Sequence, residues 1–352
     1  MDESSLQHKL DAIEVRTKSV STLLEEMGRT AYQGRSLAEA AAVWQAMLTE
    51  PDLVIVLGLS GSLSTAGQWK MINWLIEQRF VDVIVSTGAN ISEDIIEAMG
   101  ASYWQGSATA DNTALLRADI NRYYDVYGKE TDYRKMKDLI SDFIHSLRRT
   151  QYTSMEFLHL FGHWLDSRTI YNIAATAARH HVPVFCPAIT DSAYGEAFLL
   201  AKNDGTTLQL DQVREFEQFI SIGEHSRNIG VIYIGGGVPK DFTQLLAISL
   251  SPKTGDRALE QRPGHRRGSI EEYYYPHKYA IQITTDSPQW GGLSGCTLDE
   301  AVSWGKIDAE GSRVTCYCDA TIALPLITHA LNERVDRRIA APDLDWLFES
   351  LP

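Results

Sequence analysis

At least six times along the chain, a short apolar run ends in small or polar residues and gives way to a helical pattern. The runs are LVIVLGLS (53–60), VDVIVSTGAN (81–90), VPVFCPAITD (182–191), IGVIYIGGGVPK (229–240), YAIQITTDS (279–287) and RVTCYCDAT (313–321). A continuous apolar run belongs to a strand buried on both faces. Repeated strand-then-loop units with helices between them predict an α/β fold, a mainly parallel sheet with helices on both faces. In such sheets ligands bind beyond the carboxyl ends of the strands. The Ser, Thr, Gly and Asp residues of these runs collect at those ends.

Helical periodicity fills the intervals, at 67–78, in SEDIIEAMG (92–100) with acids in its first turn, and in LPLITHALNERV (324–335). Residues 1–50 have a different texture. Leu6, Leu10, Ile13, Val20, Leu23, Leu24 and Met27 recur at helical spacing, and Ser36 ahead of LAEAAAVWQAML reads as an N-cap. The chain therefore divides into an N-terminal helical segment, 1–50, and a sheet-forming domain, 51–340. Two stretches read as surface insertions: 102–165, helix-rich and polar, and 252–277, dense in charge, Gly and Pro.

Composition narrows the function classes. The net charge of −14 disfavours sequence-independent nucleic-acid binding, which needs an extended basic surface. It keeps the chain soluble and weakly suits a cationic ligand. No run approaches the roughly 20 apolar residues of a membrane span, and the polar N-terminus does not read as a secretory signal. Four cysteines, Cys186, Cys296, Cys316 and Cys318, fit a reducing, cytoplasmic location.

Four features could carry chemistry. The triplet Gly235–Gly236–Gly237 follows the run VIYI, where glycines let backbone N–H groups approach a phosphate; a tight strand-to-helix turn is the plain alternative. The loops LSGSLSTAG (59–67) and STGAN (86–90) also follow buried strands. Glu93 and Asp94, just beyond the second, can accept hydrogen bonds from ribose hydroxyls or merely sit in a helix's first turn. Asp191 and Glu196 flank Gly195 and could hold an ammonium group, or line a solvated turn. Lys306 stands among Val302, Trp304 and Ile307. Desolvation there would favour a neutral amine able to form an imine, and Glu300 is close enough in sequence to pair with it. No metal is expected. Cys316 and Cys318 are too few ligands, and His159 and His163 sit among Leu158, Leu160 and Phe161, as on a packed helix face.

SGCTLDEAVSWGKI (294–307), IGGGVPK (234–240), PAITDSAYGE (187–196) and VDVIVSTGA (81–89) together resemble the deoxyhypusine synthase family. The likeness runs from about residue 15 to residue 335. WGGLSGCT (290–297) adds a likeness to its bacterial deoxyhypusine synthase-like branch, and the wider family includes homospermidine synthases. The resemblance implies a Rossmann-like fold, a homotetramer with active sites at dimer interfaces, bound NAD, and transfer of an aminobutyl group from spermidine through a lysine imine. It makes Lys306 the imine-forming lysine, with Trp304 and Glu300 lining the polyamine channel. Asp191 and Glu196 would hold substrate amines, and Ser294 would lie near polyamine and cofactor. The implied cofactor positions are Ser62, Thr65, Thr87, Gly88, Glu93, Gly236, Gly237, Thr285, Asp319 and Ala320. Two positions depart from the family's pattern. Asp241 replaces a histidine that assists proton transfer, and Leu293 replaces an aspartate that binds one end of spermidine.

Three functions compete on these residues. The first is an NAD-dependent aminobutyl transferase with a small amine acceptor and homospermidine as product. The second is deoxyhypusine synthesis on one lysine of a translation factor. The third is a polyamine or dinucleotide sensor without turnover. Intact Lys306, Trp304 and Glu300 favour an enzyme, and the changes at Asp241 and Leu293 favour the small acceptor.

Overall fold

A computed structural model describes residues 8–226, 228–249, 276–349 and 351. The predicted insertion 252–277 therefore lies outside the described residues except for Pro276 and His277, and so does Leu6. All six apolar runs form strands of one sheet: β1 Leu53–Leu59, β2 Val83–Ser86, β3 Val184–Phe185, β4 Asn228–Ile234, β5 His277–Thr284 and β6 Ile307–Tyr317. Their order is β6-β5-β4-β1-β2-β3, and every neighbouring pair is parallel. This is the doubly wound Rossmann order, which reverses between β1 and β4 and opens a crevice at their carboxyl ends.

Side-chain alternation explains why both faces of a strand must be apolar. Ile55 and Leu57 join one core with Trp44, Ile72, Ile76, Phe157 and Leu324. Val54 and Val56 point the other way and join Val231, Tyr233, Phe219, Leu246 and Leu298. Helices therefore cover the sheet on both sides. At the amino end of β1 the buried Asp82 carboxylate accepts from Ile55 N at 2.8 Å and pairs with Arg338 at 2.5 Å. This ties the C-terminal segment to the sheet.

The N-terminal segment departs from expectation. Helices α1, Val20–Gly28, and α2, Tyr32–Thr49, form, but residues 8–19 are irregular. Leu10 and Ile13 are exposed there, so no apolar face repays the cost of ordering a helix. Ser36 is not a cap. It lies inside α2 and donates back to Tyr32 O at 3.4 Å.

Segment 102–165 is not purely helical. INRYYDVYG folds into an antiparallel hairpin, Ile120–Tyr123 with Val126–Lys129. Helix α3, Glu130–Ser146, and helix α4, Ser154–Asp166, then bury Met136, Ile140, Phe143, Phe157 and Phe161 in the main core. Helix α5, Ala193–Asn203, follows β3, and helix α6, Gly237–Ile248, follows the glycine triplet. Helix α7, Leu298–Ser303, precedes Lys306, and helix α8, Ala320–Arg334, follows β6. No described helix is long and apolar enough to cross a membrane.

Candidate active site

Two groups of residues meet along α6. The first is at the carboxyl ends of the strands. Asn90 stitches the loops after β1 and β2 together: its Oδ1 accepts from Leu63 N at 2.7 Å, and its Nδ2 donates to Ser60 O and Thr87 Oγ1. Thr87 Oγ1 donates to Gly61 O at 2.7 Å, and Thr65 Oγ1 to Ser62 O at 3.1 Å. Ser62 donates to the Glu93 carboxylate. Burial raises the Glu93 pKa, opposed by hydrogen bonds from Ser62 and Tyr123. Ser62 with Thr65 and Glu93, and Thr87 through Asn90, thus form one hydrogen-bonded group at the ends of β1 and β2, and Gly88, next to Thr87, packs closely on Ser192.

Gly235 and Gly237 have φ of +76° and +58°, a region that glycine enters without strain. Gly236 is needed for a different reason, since a Cβ there would lie 2.8 Å from Ser294 N and collide with Ser294 Cα. The N-terminus of α6 has no side-chain cap, so its first N–H groups remain available to an anion. Thr285 and Ala320 sit at the same end of the sheet, beyond β5 and β6. The Asp319 carboxylate caps α8, accepting from Thr321 N at 2.8 Å. An acidic acceptor, glycine turns and an uncapped helix N-terminus together fit the ribose and pyrophosphate of a dinucleotide.

The second group lines a cleft of about 400 Å³ formed by Asp241 and Gln244 of α6, by Gly291, Gly292, Leu293 and Cys296, and by Glu300, Trp304 and Lys306. Lys306 Nζ donates to Asp241 Oδ1 at 3.2 Å and to Gln244 Oε1 at 3.4 Å. It lies 5.7 Å from the Trp304 ring centroid, within cation–π reach. The lysine side chain is only 13% exposed, while Trp304 is 64% exposed at the mouth.

Glu300 does not pair with Lys306, contrary to the sequence expectation. It is the third residue of α7 and closes a capping box, its carboxylate accepting from Thr297 N at 2.7 Å. That bond holds its pKa below the usual carboxylate range. A capping box leaves the carboxylate little freedom to reach elsewhere. Asp191 and Glu196 lie at the start of α5, beyond β3, at the opposite edge of the sheet from β6. Both are exposed, and Glu196 pairs with Lys137 at 2.7 Å. Within one chain, then, the Lys306 cleft and these two carboxylates are not brought together. Ser294 packs on Gly236 and joins the two groups of the site. His159 stacks on Phe348 with ring centroids 4.0 Å apart. Among the described residues no three His, Cys, Asp or Glu side chains could hold a metal.

Three residues escape sequence reasoning. Gln244 is one turn beyond Asp241, a spacing that could have flagged it. Lys240 is fully buried, although a lysine beside an aspartate reads as solvated. His277 is also fully buried, its backbone N donating to Lys306 O at 3.0 Å, and neither ring nitrogen has a partner among the described residues. Burial, with a smaller effect of Lys306, lowers its pKa to about 3.

The fold and this site define a doubly wound α/β protein with a dinucleotide-type crevice beside a lysine-bearing cleft. The sequence model of the family described as deoxyhypusine synthase matches residues 22–331. A relative from Methanosarcina mazei, "Probable deoxyhypusine synthase 2", is 41% identical over 337 residues, 95% of this chain and 93% of its own length. A "Deoxyhypusine synthase-like protein" from Chlorobaculum tepidum is 34% identical, over 95% of this chain and 94% of its own. A crystal structure assigned to deoxyhypusine synthase from Entamoeba histolytica superposes with a TM-score of 0.61. It covers 91% of this chain and 95% of its own at 20% identity, which speaks to the fold. The chain belongs to the deoxyhypusine synthase family. It is therefore an NAD-dependent transferase of aminoalkyl groups.

Proposed function

We propose that this enzyme transfers the aminobutyl group of spermidine to a small amine, yielding homospermidine when the acceptor is putrescine. The observation that carries the reading is the Lys306 amine held 3.2 Å from Asp241 in a cleft that abuts the cofactor loops. Glu93, the glycine turn and the α6 N-terminus would hold NAD, which when bound would take a hydride from the carbon beside the donor's secondary amine and later give it back. Asp241 takes the proton that Lys306 must lose before its nitrogen can attack that carbon. Lys306 then carries the four-carbon unit as an imine, and diaminopropane leaves. The acceptor's amine displaces Lys306 at the imine carbon, Asp241 returns the proton to Lys306, and return of the hydride to that carbon leaves the secondary amine of homospermidine. Trp304 offers a π face to an ammonium at the mouth.

Asp191 and Glu196 enter this reading from a neighbouring subunit. Their separation from Lys306 within one chain supports a homotetramer whose sites lie at dimer interfaces. The small acceptor is supported by Asp241 and Leu293, which replace groups that the deoxyhypusine enzymes use on the donor. A cytosolic setting suits the four free cysteines. Deoxyhypusine synthesis on a translation factor is the second reading, favoured by the names of the archaeal relatives. Mass spectrometry after incubation with NAD, spermidine and putrescine, with and without the factor, separates them. Homospermidine formed without the factor supports the small acceptor. A mass gain on the factor alone supports the protein acceptor.

A further inference from the structure

Lys240 is fully buried, and no carboxylate bonds to it among the described residues. Its three donors go to Gln282 Oε1 at 3.1 Å, Leu293 O at 3.1 Å and Cys296 O at 2.5 Å. The Gln282 amide group donates in turn to Gly235 O at 3.2 Å and Ser294 O at 2.9 Å. One ammonium and one amide therefore tie down the backbone carbonyls of Leu293, Ser294 and Cys296, and anchor them to the glycine turn. Leu293 and Cys296 are walls of the Lys306 cleft. A cation buried among neutral oxygens is costly, and this arrangement keeps all three lysine donors satisfied. Burial accordingly lowers the Lys240 pKa.

We infer that Lys240 and Gln282 are positioning residues that act through the 293–296 backbone to set the cleft wall, and thereby which amines the enzyme accepts. Neither lines the cleft. The inference rests on the aminoalkyl-transfer reading for its amine readout, but the clamp itself can be tested without turnover. Cys296 reports on the loop because its own carbonyl is held by Lys240. In Lys240→Met and Gln282→Leu, iodoacetamide labelling of Cys296, followed by peptide mass spectrometry, should quicken about tenfold. Gln282→Glu keeps the acceptor for Lys240 but loses both donations, so it should release Ser294 and quicken labelling less.

In kinetics, the KM for spermidine should rise at least tenfold in Lys240→Met, with NAD affinity changed far less. A displacement of about 1 Å at a reacting centre is enough to lose a hundredfold in rate. Unchanged labelling and unchanged KM in both Lys240→Met and Gln282→Leu would overturn the inference. Parallel losses of NAD affinity, amine affinity and folding would overturn it too, by making the clamp general structure. If labelling quickens in the variants while wild-type protein turns over no amine, the clamp stands and the aminoalkyl reading fails.

Discussion

Lys306 owes its proposed chemistry to the residues one helix away. Asp241 and Gln244 face it from successive turns of α6, and no feature near Lys306 in the sequence reveals them. The sequence makes Glu300 its natural partner. The capping box explains why that fails: a carboxylate bound to the start of its own helix is no longer free for a neighbour. Lys306→Arg keeps the charge but cannot form an imine. Single-turnover assays should then show no aminobutyl release, with NAD still bound. Asp241→Asn removes the proton acceptor and should lower kcat by about 10² to 10⁴, the usual worth of a general base. A kcat within threefold of wild type would remove Asp241 from the mechanism. Glu300→Gln can still close the capping box, so activity should survive it, whereas Glu300→Ala should lose activity through displacement of α7.

At the scale of elements, the strands are the legible part. Runs such as VIVLGL and IGVIYI can only be strands buried on both faces, and the sheet contains all six. The irregular course of 8–19 and the hairpin at 120–129 are not legible because their apolar residues are few and at least partly exposed, so periodicity carries little energy there. The glycine turn between β4 and α6 is readable as a turn. Its second role, as the floor on which Ser294 rests, depends on a contact 58 residues away in sequence. Gly236→Ala tests that role: its Cβ would force the Ser294 backbone away. Titration by NADH fluorescence should show cofactor affinity falling at least tenfold while far-UV circular dichroism stays native. Undiminished affinity would show that the loop yields without consequence.

For the whole molecule, the buried groups set the response to acid. His277 has a pKa of about 3 against an ordinary value of 6.5. At this site the unfolded chain therefore binds more protons between those values, so the stability that His277 contributes is full above about pH 6.5 and is lost as pH falls toward 3. The buried Asp94, raised to about 7 by desolvation, acts in the opposite direction. At pH 5 this one histidine should cost about 2 kcal/mol, and the similarly depressed His159 acts in the same direction. The test is a comparison of urea midpoints: the loss between pH 7 and 5 should be smaller in His277→Gln than in the wild type, and an equal loss in both would contradict that burial. The separation of Asp191 from Lys306 within one chain makes a further prediction about assembly. Mixing Lys306→Ala with Asp191→Ala protein should restore part of the activity that each lacks, and no recovery after subunit exchange would place complete sites within single chains. In the proposed reaction Lys306 carries the aminobutyl group. Borohydride trapping of intact enzyme with NAD and spermidine, followed by peptide mass spectrometry, tests it most directly. An aminobutyl adduct is expected on the peptide containing Lys306 and is expected to be absent in Lys306→Arg. Spermidine consumed with that peptide unmodified, or an adduct on another lysine, would contradict it.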